Sequence, residues 1–381
     1  MWIKNQIPLI VLAVLSIACS SAPADKPEHE PEPDPICLGA DLSYVNEMLD
    51  CGGSYLSQGK EVDPYELFAE KGANLIRLRL WHNPGWTDYS NLSDVKLAIQ
   101  KSKESGMGVL LDFHYSDEWA DPAKQLVPEA WRDIESMEIL GDSLYAYTYA
   151  VLQELQNKDL LPEMVQIGNE TNTEVLMPLP AENYTSINWD RNVYLLNKGI
   201  QAVKDFSSST GNSISTMIHI AQPENAEWWF PKAFEHGILN FDWIGLSYYP
   251  KWSRYSLEQL NEVISMLRSN FSKRIMVVET AYPHSLINAD PANNILGEDA
   301  LIEGYPATPE GQRDYMIALT KAVLKGGGEG VIYWEPAWIS TRCSTRWGQG
   351  SHWDNATFFD SQNNNESLMG FEFLNSANYQ E

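Results

Sequence analysis

Met164-Val165-Gln166-Ile167-Gly168-Asn169-Glu170-Thr171-Asn172 is the stretch from which the fold is read. Val165 and Ile167 alternate with polar neighbours, as in a short strand aimed at a core. The strand stops at Gly168, and a carboxylate follows, next to an amide. A carboxylate at the C-terminal end of a strand sits where parallel barrels keep their chemistry. Arg274-Ile275-Met276-Val277-Val278-Glu279-Thr280 mirrors it, a β-branched run that also ends in one glutamate. One strand-end glutamate alone reads best as a solvated residue. Two imply a carboxylate pair facing one substrate, the equipment of glycoside hydrolysis.

Strand-like and helix-like segments alternate on both sides of this stretch. Strands are expected at Leu38–Leu42, Ala73–Leu80, Met107–Phe113, Ser215–Ala221, Phe241–Ser247 and Gly330–Trp334. Met107–Phe113 is so apolar that both its faces should be buried, as in parallel sheets. Helices are expected from Asp63-Pro64 to Gly72, over Ser93–Ser105, around Leu144–Leu155, Val193–Phe206, Trp228–Phe234 and Leu257–Leu267, and from Thr308-Pro309-Glu310 to about Leu324. Capping residues and Pro at the first helical position mark several starts. Eight strands alternating with helices imply an α/β fold, a single (β/α)8 TIM barrel. A doubly wound sheet would show a Gly-rich phosphate loop early in the chain, and there is none.

A barrel would gather its strand ends into one cleft. Those ends carry Asp41, Arg79 with Trp81, His114 with Asp117 and Trp119, Asn169-Glu170, Ser247-Tyr248-Tyr249, Glu279, and Trp334-Glu335. Asp112, inside the third strand, reads as structural. Glu224 and Glu335 are rival carboxylates. His114 alone could equally be a satisfied core histidine.

The chain has 381 residues, 14 Trp, 18 Tyr and a net charge of −26. The charge excludes nucleic acid and anionic membrane surfaces as partners. The aromatic residues suit stacking on sugars as well as core packing. Lys4 and the apolar run from Ile7 to Ile17 read as an export signal over 1–18, too short to span a membrane. Ser16-Ile17-Ala18-Cys19 resembles a bacterial lipobox, although Leu15 lies one place early; the resemblance implies lipidation of Cys19. Residues 19–35, rich in Pro and acid, cannot bury a core and read as an extended tether. Such a tether after a lipidated Cys resembles the export signals of Bacteroides-type surface lipoproteins. That implies the cell surface of a Gram-negative outer membrane, with the lipid as the membrane contact. The catalytic domain is then 36–381. Cys37, Cys51 and Cys343 are odd in number, so at least one lies outside any internal pair. Cys37 with Cys51 is the local pairing, and Cys343 with either is the long-range one.

Several motifs together are similar to a known family. Gly39-Ala40-Asp41-Leu42-Ser43, Arg77-Leu78-Arg79-Leu80-Trp81, Asp112-Phe113-His114-Tyr115-Ser116-Asp117, Gly168-Asn169-Glu170-Thr171-Asn172, Gly245-Leu246-Ser247-Tyr248-Tyr249-Pro250 and Glu279-Thr280-Ala281-Tyr282-Pro283 resemble the endo-β-1,4-galactanases of glycoside hydrolase family 53, in clan A. The resemblance implies an endo-acting, retaining enzyme that cleaves (arabino)galactan, the pectin side chain, and acts as a monomer. Glu170 would be the acid/base and Glu279 the nucleophile. Arg79 and Tyr248 would hold Glu279 anionic. Asn169 would bind the sugar 2-hydroxyl, and Trp334 would form the floor. Asp41, Trp81, His114, Asp117 and Ser247 would line the substrate. Two other readings remain: another clan A β-glycanase such as a β-mannanase or cellulase, and a non-catalytic glycan-binding surface lipoprotein. The loop 282–308 is long for a barrel connection. Some bacterial members of the family bind calcium in it. Here the resemblance implies Asn288, Asp290 and Asn294, with Ser351 and Asp354 from the next loop, as ligands of a structural Ca2+, although Ala292 and Asn288 depart from the pattern.

Overall fold

Eight parallel strands close on themselves in the computed structural model, which describes residues 36–380. In chain order they are β1 (Cys37–Asp41), β2 (Leu75–Leu80), β3 (Gly108–Phe113), β4 (Met164–Ile167), β5 (Ser215–Ala221), β6 (Trp243–Ser247), β7 (Arg274–Glu279) and β8 (Gly330–Tyr333). Each pairs with its neighbours in sequence, and β1 pairs with both β2 and β8, which closes the barrel. The (β/α)8 expectation is met. The export signal, Cys19 and the tether lie outside the described residues. Among those described, no helix is long and apolar enough to cross a membrane.

The helices are α1 (Val45–Asp50), α2 (Pro64–Glu70), α3 (Leu92–Glu104), α4 (Met137–Gln156), α5 (Trp189–Thr210), α6 (Pro223–Glu235), α7 (Leu257–Phe271) and α8 (Pro309–Lys325). Most bury one apolar stripe against the strands, as with Leu260, Val263, Ile264 and Leu267 of α7. Three, α4, α5 and α6, start earlier than the apolar spacing alone suggests, the first two at capping side chains (Ser136 and Asn188) and the third at a proline. The Ser136 hydroxyl accepts from the Ile139 amide to begin α4, and Pro223 stands in the first turn of α6, its fixed φ suited to that position. The short α1 was not expected. Both α1 and α2 lie between β1 and β2. Among the described residues no α-helix follows β8; the 3-10 turn Met369–Leu374 packs on α8 in that place.

Inside the barrel the side chains form layers. Leu75, Leu110, Met164, Met217, Trp243, Met276, Val278 and Ile332 make an apolar plug. A strand repeats its facing every second residue. Two residues on from Leu75, Leu110, Met164 and Met217 come Arg77, Asp112, Gln166 and His219, all fully buried. The plug therefore gives way to a polar layer toward the C-terminal strand ends. Gly245 falls where the plug leaves no room: a Cβ there would lie 2.7 Å from the Met217 sulfur.

Cys51, at the end of α1, is bonded to Cys343 in the loop after β8, with their Cα atoms 5.6 Å apart. The long-range pairing is the one formed, and Cys37 takes no part in it. The bond closes a loop spanning 292 residues. In the chain-entropy model a loop of this length contributes more than the about 4.7 kcal/mol of a loop of about 100 residues, before any strain in the folded state.

Candidate active site

Glu170 and Glu279 meet across the barrel mouth. One oxygen from each, with a ring nitrogen of His219, lie within 4.8 Å of one another. Retaining glycosidases hold their carboxyl groups about 5–5.5 Å apart, and inverting ones about 6.5–9.5 Å. An approach this close between their nearest oxygens suits the first arrangement. Glu279 is 6% exposed, whereas Glu170 is half-buried.

The turn that presents Glu170 is held by β5. Thr171 N donates to His219 O at 2.9 Å, and Asn172 makes bonds to both the N–H and the C=O of Ala221. Glu170 itself has φ of 43°, in the left-handed region. A non-glycine residue is held there only when its surroundings over-determine it, and such residues cluster at functional sites.

Arg77 is the hub of the polar layer. Its Nη1 lies 2.8 Å from Glu279 Oε1 and 2.9 Å from Asp41 Oδ2. Its Nη2 lies 2.7 Å from Asp112 Oδ2 and 2.6 Å from Asn169 Oδ1, and Nε donates to Gln166 Oε1. One guanidinium thus serves three carboxylates in a dry interior. Burial pushes both of their pKa values up; the charges of Asp121 and Asp112 add to it at Glu170, which rises to about 7, and the charge of Glu170 adds to it at Glu279. Raised together, the two carboxyls favour sharing a proton over ionising both. Arg77 fixes the negative charge on Glu279, and the proton is left on Glu170.

The structure corrects part of the expected site. Arg79 does not touch Glu279. It lies one inward position further along β2, 3.1 Å from Glu335 Oε1 and 4.1 Å over the Trp119 ring. Glu335, the rival carboxylate, is spent on Arg79 and the Tyr44 amide. Tyr248 points out of the barrel and donates to Tyr255 O at 3.0 Å; Tyr249, on the inward side, is the tyrosine that senses both glutamates. His114 is engaged at both nitrogens, with Asp112 at 3.0 Å and the Ala120 amide at 3.1 Å. Trp81 is 2% exposed and packs on Arg79 and Trp86, offering no face to a sugar. The Asp117 carboxylate accepts from the Asn83 and Glu129 amides, which organises its loop.

Asp41 is buried against Arg77 and the Ser43 hydroxyl. Asn169 donates to Ala120 O at 2.7 Å, beside Glu170. Ser247 Oγ contacts Glu170 Oε1 at 2.5 Å. Trp334 and Trp119 are partly exposed, 5.7 Å apart between ring centres, and both can meet a ligand. The residues missed were Arg77, Gln166 and His219, and Tyr249 stood among the strand-end residues without a role. The signal for the first three was a polar side chain in the middle of a strand buried on both faces, which has to be paired.

The loops after β7 and β8 do meet. The Ser340 hydroxyl lies 2.5 Å from Asp290 Oδ2 and 3.0 Å from Asp354 Oδ2. A hydroxyl has one proton, so it cannot serve both carboxylates at once. Asn294 Nδ2 donates to Asp354 Oδ1 and to Asn288 Oδ1, while Asn294 Oδ1 is buried without a partner. Ser351 enters through its amide, 2.8 Å from Asp290 Oδ2; its hydroxyl is turned to Trp338 O. An oxygen-rich, charge-excess cradle with an orphaned carbonyl fits a hard cation.

Residues 37–374 match the family described as Glycosyl hydrolase family 53. The chain belongs to that family. It is 54% identical over 346 residues to an arabinogalactan endo-beta-1,4-galactanase of Cellvibrio japonicus, covering 91% of this chain and 92% of that one. An endo-beta-1,4-galactanase of Bacillus subtilis is 33% identical, over 79% of this chain and 70% of its own. Among solved structures, the family 53 catalytic domain of Ignisphaera aggregans superposes with a TM-score of 0.80 at 32% identity, over 90% of this chain and 96% of that one. Family membership agrees with the barrel observed here.

Proposed function

We infer that the protein is an endo-β-1,4-galactanase that cleaves (arabino)galactan with retention. The carboxylate pair, close enough for a covalent intermediate and supplied with one proton, carries the reading. The family 53 relatives named as galactanases narrow the substrate. In the first step a Glu279 oxygen attacks the anomeric carbon. Glu170 gives its proton to the departing glycosidic oxygen, so that bond breaks as the galactosyl–Glu279 ester forms. In the second step Glu170, now a carboxylate, takes a proton from water. The hydroxide so formed displaces Glu279 from the sugar. Trp334 supplies the floor under the reacting ring. Asn169, beside Glu170, addresses the 2-hydroxyl.

The test is a panel of β-1,4-linked galactan, mannan, xylan and cellulose, read by reducing ends and viscosity. Galactan should be cleaved fastest, with viscosity falling well before reducing ends plateau. Faster release from mannan or cellulose would move the enzyme elsewhere in clan A. Release from none would leave a glycan-binding protein.

Two further proposals concern anchoring and stability. Cys19 is lipidated and holds the enzyme at the outer surface through the acidic tether. Cys19→Ala should then leave the membrane fraction with unchanged specific activity; persistent membrane association would place the anchor elsewhere. A calcium ion held by Asn288, Asp290, Asn294 and Asp354, with Ser351 supporting Asp290 through its amide, pins the wall of the cleft beside Glu279. An ion bound to the folded state alone stabilises by about 2.7 kcal/mol at a hundredfold excess over its Kd. A chelator should lower the melting temperature, and Asp354→Ala should abolish that sensitivity. An unmoved melting curve with no calcium by elemental analysis would remove the site.

A further inference from the structure

His219 sits inside the barrel on β5 with no exposed surface. Its Nε2 is 2.9 Å from Ser247 Oγ, and Ser247 Oγ is 2.5 Å from Glu170 Oε1. Three groups surround its Nδ1: the Glu170 backbone N–H at 3.3 Å, Gln166 Nε2 at 3.2 Å and Asn169 Oδ1 at 2.9 Å. Asn169 Oδ1 is already served by Arg77 Nη2 at 2.6 Å and Gln166 Nε2 at 3.2 Å. The Glu170 amide has Nδ1 as its acceptor. Burial and the nearby Arg77 hold the His219 pKa well below the ordinary range, so the ring is neutral and carries one proton. With Nδ1 accepting, that proton is on Nε2. The chain of donors then runs one way, from Nε2–H to Ser247 Oγ and from the Ser247 hydroxyl to Glu170 Oε1. The other tautomer would strand the Glu170 amide, and buried amides are rarely left unpaired.

We propose that His219 and Ser247 are positioning residues for the acid/base: they hold Glu170 Oε1 as a hydrogen-bond acceptor, so that Oε2 is the oxygen that carries the proton to the leaving group and back from water. This rests on the reading of Glu170 as the acid/base of galactan cleavage. It removes Ser247 from the sugar contacts. One oxygen then serves both proton transfers, and the carboxyl group need not turn between them.

The other groups facing Glu170 are Arg77 on β2, Asp112 on β3, Asp121 in the loop after it, Tyr249 after β6 and Glu279 on β7. Ser247→Ala leaves all of them in place and withdraws one donor from the carboxylate. A hydrogen bond to a charged group is worth enough that the Glu170 pKa should rise by about one to two units.

The experiment compares wild type, Ser247→Ala, Ser247→Cys and His219→Gln on galactan and on an aryl β-galactoside whose leaving group needs no protonation. For Ser247→Ala the basic limb of the kcat/KM profile should move up by about one unit or more. Its kcat on galactan should fall about tenfold, while kcat/KM on the activated aryl galactoside changes less than about twofold. Ser247→Cys, a weaker donor, should lie between. His219→Gln, which keeps an N–H donor, should shift the limb less than Ser247→Ala does. A limb that stays put or moves down overturns the proposal, and so does a raised KM with unchanged kcat, the mark of a sugar contact. A 13C titration of the Glu170 carboxyl, identified by its loss in Glu170→Gln, reads the same shift without turnover. Wild type inactive on both substrates would overturn the galactanase reading instead.

Discussion

Glu279→Gln and Glu170→Gln should each fold as wild type does and each lose at least about 10²–10³ in turnover on galactan, because covalent and acid–base roles supply that much or more. The two losses should differ in kind. Without Glu279 no ester forms, and every substrate is affected. Without Glu170 the departing oxygen lacks its proton, so an aryl galactoside with a good leaving group should still discharge onto Glu279. That variant should then stall, because no base activates water. In wild type, with Glu170 pushed up to about 7, kcat/KM should fall as pH rises through that value. Circular dichroism and steady-state rates at several pH values check all of this. Near wild-type hydrolysis by either variant would remove the pair from the chemistry.

The second large effect is expected at Arg77. Its guanidinium lies against Asp41, Asp112 and Glu279, and all four are almost without exposure. Removing one partner of a buried ion pair costs about 3–5 kcal/mol, because the remaining charge is left uncompensated. Arg77→Leu should therefore melt well below wild type. The carboxylates can escape the penalty by binding protons, and a protonated Glu279 is no nucleophile. Turnover should then drop by about 10² or more, beyond what lost folded protein explains. Arg77→Lys keeps the charge but not the fork, and should recover more stability than activity. Thermal melting and kcat per folded molecule separate the two effects. An Arg77→Leu enzyme with wild-type kcat would show that Glu279 is held anionic by something else.

The barrel was legible because its strands are short apolar runs with clear stops, and because turn residues separate them from helices. The carboxylate pair was legible for a related reason. Glu170 and Glu279 end two such runs, and a closed barrel brings the ends of all its strands to one mouth. The second tier was not. Arg77 and Arg79 stand two residues apart and face the same way, so spacing cannot say which reaches Glu279. That choice depends on depth: Arg77 lies level with Asp112 and Gln166, while Arg79 lies level with Glu335. Tyr248 and Tyr249 posed the opposite problem. They face opposite sides of β6, and the parity of the strand, once Ser247 is known to point inward, selects Tyr249. His219 was hidden in Met217-Ile218-His219-Ile220, which reads as plain core. A histidine in the middle of such a run needs partners at both nitrogens, and only the fold shows that one of them leads to Glu170.

The most direct test of the account is the configuration of the first product. Galactan or a galacto-oligosaccharide is mixed with enzyme in D2O, and the anomeric protons of the new reducing end are followed by NMR before mutarotation. A carboxyl pair whose nearest oxygens approach within 4.8 Å suits attack by Glu279 itself, so the β-anomer should appear first and the α-anomer only with mutarotation. An α-anomer formed first would mean direct displacement by water, and would contradict Glu279 as the nucleophile.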